Sequence, residues 1–251
     1  MVLNQENKMK VLAYRIECDT HWEPGVPDRE DPSYWELRYE SCRSQIRQDG
    51  IFYDLEVDES VFPDFNDLAF KLYTNPLSDY QVEVNIPNPI VFGAWFDFIE
   101  YLDYPRIFLN CPIMSPQMLE TIRGVSDFRH CTYPTLMEDM NASLGSNTRN
   151  GRQKNDFLVV QTLEFLDAYD WGKSEYIIDG DETKFTKMVL KEPIPSLFRL
   201  VGNETELYVS AAAKEALEAS DTARGAWFLP IDEEYEVKLL GYETKVDKSL
   251  S

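Results

Sequence analysis

Residues 113–134 read IMSPQMLETIRGVSDFRHCTYP, and residues 208–230 read YVSAAAKEALEASDTARGAWFLP. Each stretch opens on a short apolar run and then places a serine, Ser115 or Ser210, where a helix N-cap belongs. Each continues with amphipathic helical spacing, then leaves through a polar turn into an aromatic-rich strand ended by Pro134 or Pro230. Pro116 suits a first helical position, because the N–H it lacks would have no partner there. Ala211, Ala212 and Ala213 give the second copy strong helix propensity. The echo predicts two related strand–helix–strand units.

Outward from these units the pattern is mostly strands. Val11 to Glu17 predicts an opening strand, and further strands are predicted over 81–86, 107–109, 157–161, 185–190, 197–201, 207–209 and 235–240. Residues 64–73 predict a short helix after Pro63. Residues 34–48 are ambiguous: Trp35, Leu37 and Tyr39 alternate as in a strand. Yet Trp35, Tyr39, Cys42 and Ile46 follow helical spacing behind a Ser33-x-x-Glu36 capping box, and this favours helix. Strands and helices do not alternate regularly, which disfavours a doubly wound parallel sheet. The expected class is α+β, with mainly antiparallel sheets and a few short helices. The polar stretch 141–155, NASLGSNTRNGRQKN, reads as an exposed loop or linker. It would divide an acidic N-terminal α+β unit, 1–140, from a C-terminal α+β unit, 156–251.

The chain has 251 residues, with 24 basic and 45 acidic side chains, for a net charge of −21. Duplex and membrane-surface binding need the opposite sign, so neither nucleic acid nor membrane is an expected partner. At 43% hydrophobic and 13% aromatic residues the chain can bury a large core, which excludes disorder as a description of the whole. The four cysteines are far apart and form neither a CxxC pair nor a disulfide framework. Buried thiols in a reducing cytoplasm are expected, and the N-terminus has no apolar signal core.

Catalytic motifs are missing. The two histidines, His21 and His130, have no metal-ligand spacing, and no GxG or GxSxG occurs. No cofactor and no metal is expected, and the sequence does not read as an enzyme. Paired carboxylates must occur somewhere among 45 acids, which leaves a carboxylate-dependent small-molecule hydrolase as one alternative. An acidic scaffold protein within a host complex is another. Trp171 and Trp227, flanked by apolar residues, are expected core anchors.

Residues 156–176, DFLVVQTLEFLDAYDWGKSEY, and 197–231, LFRLVGNETELYVSAAAKEALEASDTARGAWFLPI, resemble the immunity protein eleven family of bacterial polymorphic-toxin systems, also called the MXAN-type immunity domain. The resemblance rests on Asp167 and Asp170 before Trp171, Ser174 after it, Phe198-Arg199, Tyr208–Ser210, and Gly225-x-x-Phe228 with Pro230. Residues 107–136 resemble the family's preceding region more weakly, and 1–106 match none. The resemblance implies a cytoplasmic antitoxin that binds a cognate toxin domain, of the kind carried by type VI secretion machinery or Rhs-type proteins. These motifs read as determinants of fold rather than of a reactive site.

An inhibitor needs a charge-complementary surface, not catalytic groups. Residues 51–104 hold eleven acids and one base, Lys71, which read either as the solvated face of a core-forming segment or as a negative surface that steers a basic partner. Trp22, Tyr34 and Trp35 lie beside Pro, Asp and Glu in loop-like sequence, where they either half-bury against the sheet or serve as aromatic anchors at a protein interface. The expected partner-binding residues are therefore Trp22, Tyr34, Trp35, Asp54, Glu56, Asp58, Glu59, Asp64 and Asp67, facing a toxin with a basic cleft.

Overall fold

The computed structural model describes residues 11–18, 56–57, 72, 86–94, 102–105, 112–139, 153–154, 156–179, 182–231 and 237–240. In chain order the elements are β1 (Ala13–Cys18), β2 (Glu56–Val57), β3 (Ile90–Ala94), β4 (Ile113–Met114), α1 (Pro116–Val125), β5 (His130–Asp139), β6 (Gln153–Lys154), β7 (Leu158–Thr162), β8 (Phe165–Leu166) and β9 (Glu175–Asp179). They continue as β10 (Glu182–Lys187), β11 (Leu197–Leu200), β12 (Asn203–Ser210), α2 (Ala211–Ser220), β13 (Ala226–Pro230) and β14 (Val237–Leu240).

Three sheets result: β13-β1-β12-β11-β8, β14-β10-β9, and a mixed sheet β2-β3-β5-β7-β4 with β6 beside β5. Only β3/β5 and β8/β11 pair in parallel among the described strands, so the fold is α+β and mainly antiparallel. The division at 141–155 does not separate the sheets. β7 pairs with β4 and β5 from the other side of it, and β1 lies between β12 and β13. Within that stretch, Gln153 and Lys154 form a strand against β5.

The two units of the echo are present and share one register. In the first, Leu158 of β7 lies opposite Met114 on one side and Pro134 on the other. In the second, Tyr14 of β1 lies opposite Val209 and Pro230. The pairs therefore match when Ser115 is laid on Ser210. Both helices span ten residues, and both caps are extended, at φ −66° and −67°. Ser115 Oγ accepts from Met118 N at 3.1 Å, and Ser210 Oγ accepts from Ala213 N at 3.2 Å. Each hydroxyl thereby satisfies a helix N–H that has no partner within its own helix. Beyond each proline the correspondence continues: Thr135 N donates to Phe157 O, and Ile231 N donates to Ala13 O.

The helices pack on each other in one core with residues of both units. Met118, Leu119 and Ile122 of α1 meet Ala213 and Leu217 of α2, together with Val160, Ile16, Leu207 and Val209 from the sheets. The other face of the five-stranded sheet buries Ala13, Phe198, Leu200 and Tyr208 against Tyr169, Phe185, Met188 and Leu190. Successive residues of β12 thus enter different cores, as the period of two requires. Burial raises the Tyr208 phenol far above its ordinary value, and its oxygen accepts from Asn203 Nδ2 at 2.7 Å.

Several expectations change. β5 runs through Pro134 to Asp139 instead of ending at the proline. It pairs with β7 over 130–134 and with β3 over 135–139, so the residue without an N–H sits where the strand changes partner. β10 ends at Lys187, and Leu190 makes only an isolated bridge to Tyr169. Cys131 is exposed, not buried. Trp227 is half-buried, and its neighbours Ala226 and Phe228 pack on the helix core. The predicted helix at 34–48 and the strand at 107–109 lie outside the described residues, as do most of 64–73, of which Leu72 is helical and buried, and all of the predicted strand 81–86 but Ile86, which is not in a strand.

Two glycines make a direct comparison. Gly225 has φ +87°, and a Cβ there would lie 2.8 Å from Leu102 Cδ2 and 3.0 Å from Tyr104 O. Gly124, near the end of α1, has nothing within 4 Å of an added Cβ. Gly225→Ala is expected to cost about 2 kcal/mol or more, through strain and a backbone contact. Gly124→Ala is expected to stabilise by about 0.5–1 kcal/mol through helix propensity. Urea denaturation of both variants checks this, and equal effects at the two sites would refute it.

Candidate functional site

The expected partner-binding residues Trp22, Tyr34, Trp35, Asp54, Asp58, Glu59, Asp64 and Asp67 lie outside the described residues. Glu56 lies in β2, with its backbone opposite Gly93. One member of the acidic run is described fully, and it is not on the surface. Asp103 is 1% exposed. Its Oδ1 accepts from Ser115 Oγ at 2.8 Å and from the Arg224 guanidinium at 3.3 Å. Its Oδ2 accepts from Arg224 Nε at 2.7 Å and from Arg224 N at 3.2 Å. Asp103 therefore belongs to the fold, and the acidic face expected over 51–104 excludes it.

The backbone completes this centre. Asp103 N and Tyr104 N both donate to Arg224 O, at 2.8 and 3.1 Å, and Asp103 O accepts from Ser115 N at 2.7 Å. Hydrogen bonding to the carboxylate raises the guanidinium's pKa, against the opposing effect of burial. Arg224 stays charged wherever the protein is folded. The second unit has a neutral counterpart. Ser196 O accepts from Ser210 N, Ser196 N donates to Ser126 Oγ at 2.8 Å, and Ser196 Oγ donates to Ser126 O at 2.6 Å. Each residue that accepts from a cap serine's N–H thus reaches across to the loop after the other unit's helix. Local periodicity could not reveal the Asp103–Arg224 pair, whose members are 121 positions apart.

A groove of 460 Å³ lies between the segment before β1 and the turn after Tyr169. Leu12, Met188, Leu190 and Ile231 supply apolar lining, and Asp170 and Lys173 contribute an ion pair at 3.0 Å. The hydrogen bond from Lys173 holds the Asp170 carboxyl below its ordinary value, with Lys191 adding to the effect. The groove's described lining offers carboxylates and ammonium groups, and no thiol, hydroxyl or imidazole. His130 Nδ1 lies 3.0 Å from Phe128 O, and its ring packs on Phe128 at 4.6 Å. Among the described residues no group of three or more His, Cys, Asp or Glu is placed to hold a metal ion. His21 lies outside them.

The residues that carry the resemblance serve the fold in the described region. Trp171 packs edge-on against Tyr176 and beside Phe185, each at 5.2 Å between ring centroids. Asp170 O accepts from Lys173 N and Ser174 N, closing the turn that contains Trp171. Ser174 Oγ accepts from Val189 N at 3.0 Å, tying that turn to the strand bridge. Phe198 and Tyr208 stack across β11 and β12, and Ser210 caps α2. Asp167 is exposed. No known family model matches the chain, and no curated protein matches it. No described helix is long and apolar enough to cross a membrane.

Arg224→Ala is expected to destabilise by about 3–5 kcal/mol, because it leaves the Asp103 carboxylate buried without its countercharge. The double variant Asp103→Ala/Arg224→Ala should cost clearly less than the sum of the two single variants. Denaturation midpoints at constant slope measure both, and additivity would show that the pair is not coupled.

Proposed function

We propose that this chain is an immunity protein that binds a cognate bacterial toxin domain and neutralises it by covering a basic cleft with an acidic surface. The observation that carries this reading is the concentration of charge: eleven acids against one base in residues 51–104, within a chain of net charge −21. With Asp103 committed to Arg224, ten of those acids remain for the surface. A field of that sign accelerates capture of a basic partner and occupies phosphate-binding positions with carboxylates. The resemblance of 156–176 and 197–231 to the immunity protein eleven family names the partner class. The reading locates toxin contact on 19–104, because a pair-specific surface differs between relatives that share a scaffold. Trp22, Tyr34 and Trp35 are its proposed anchors, and the cytoplasm its proposed compartment.

The reading expects a toxin-domain gene beside this one, and co-expression of the two tests it. Growth should be restored, and the two proteins should co-purify. A toxic neighbour that is neither bound nor neutralised would refute it.

The contribution of the charges is separable from that of the aromatic anchors. Neutralising Asp54, Glu56, Asp58 and Glu59 together should slow association by about tenfold at low salt. The difference should shrink above about 0.1 M salt, where the screening length falls to ~10 Å. Trp22→Ala or Trp35→Ala should instead cost about 2 kcal/mol, expressed in the dissociation rate. Surface-captured toxin, followed over a salt series, measures both. Rates untouched by either set of changes would move the interface off 19–104.

A further inference from the structure

Each strand–helix–strand unit holds its two parallel strands one strand-width apart, and the gap is filled from outside the unit. In the first unit β7 fills it, with Leu158 opposite Pro134, 24 positions away. In the second unit β1 fills it, with Tyr14 opposite Pro230, 216 positions away. β1 is hydrogen-bonded on both edges, to β12 and to β13. Ala13 and Ile16 are buried in the two cores on either face of the sheet, and Arg15 pairs with Glu206 at 3.3 Å. The gap thus selects its occupant by register, by a small residue at 13, by an aliphatic at 16 and by a cation at 15.

We propose that the gap between β12 and β13 is a strand-binding site that β1 of a second copy fills as well as β1 of its own chain. The product is a dimer with reciprocally exchanged first strands. The exchanged contacts are the same residues in the same register, so contact energy does not distinguish monomer from dimer. The balance rests on effective concentration, which falls as about the −3/2 power of the connecting length. Because Asp103 and Tyr104 are hydrogen-bonded to Arg224 beside β13, the connection that closes on the β1 site runs from Cys18 to Leu102, 84 positions against 24 for β7. A length about 3.5-fold greater gives β1 a local concentration at its site about sixfold below that of β7 at its own. A second copy therefore competes for the β1 site at concentrations where the β7 site stays intramolecular.

Glu17 and Trp227 face each other across β1 and β13. Facing residues of antiparallel strands lie ~4.5–5.5 Å apart, within reach of a disulfide. Full-length Glu17→Cys and Trp227→Cys variants are unfolded, mixed, and refolded together at high concentration under oxidising conditions. The expected product is a covalent dimer whose linked peptides, identified by mass, join position 17 of one copy to position 227 of the other. The proposal is overturned if a single chain carrying both substitutions closes that link within itself while the mixture never forms it between copies. The unmodified chain gives an independent reading by light scattering after refolding at low and high concentration. A dimer fraction that rises with refolding concentration and survives dilution supports exchange; monomer at every concentration overturns it. A dimer without the 17–227 link uses another surface and overturns it as well.

Discussion

A carboxylate with almost no solvent exposure organises the meeting of the two units. Removing Asp103 from water costs several kcal/mol, an expense the fold tolerates only because four donors converge on its two oxygens. Those donors come from the cap of α1 and from the loop after α2, elements of different units. Their geometry fixes the neighbouring backbone in turn. Leu102 and Tyr104 are pressed against Gly225, where no side chain fits, and Tyr104 enters the helix core. The helix pair, the two caps and the segment 102–105 consequently hold one another in place.

The counterpart at Ser196 and Ser126 shows that the same connection can be made without charge. The two units therefore share a scaffold and a register while differing in how each is fastened to the other. Their connections after the helix differ too: four residues, 126–129, in the first and five, 221–225, in the second. The longer connection carries Asp221 at φ 52° and Gly225 at φ 87°, left-handed positions that let it close under Leu102. A Thr-x-Arg-Gly motif occurs in both stretches, at Thr121–Gly124 and at Thr222–Gly225. It is misleading as an alignment, because the first copy lies in α1 and the second in the loop after α2. The two threonines instead meet each other, Thr222 Oγ1 donating to Thr121 Oγ1 at 3.0 Å.

The parts of the fold legible in the sequence were those with local causes. Serine caps, proline at a first helical position and apolar spacing located both helices and the strands around them, because each is decided within a few residues. Pairing across long separations was not legible. No local pattern says that β1 belongs between β12 and β13, or that Asp103 meets Arg224. For the same reason Asp103 read as a surface acid: composition counts charges without knowing which have a partner. Pro134 misled in the opposite direction, since its missing N–H marks a change of strand partner rather than a strand's end. The motifs of the resemblance could be read as fold determinants, and Trp171, Ser174 and Ser210 act as such. The binding residues expected over 22–67 depend on charge and aromatic placement alone, which do not specify a geometry.

β11 and the end of β12 are covered on both faces of the five-stranded sheet, by the helix pair on one side and by the Tyr169–Phe185 cluster on the other. Positions 207–210 consequently have no outward side and are all buried. Substitution at these positions is strongly constrained, since each change must be absorbed by one core or the other. Latitude for divergence falls to α1's outward positions, Gln117, Glu120 and Arg123, and to the turns, where side chains face water. Substitutions at those outward positions cost little packing, whereas a change at 207–210 has to be accommodated by a core on one face or the other.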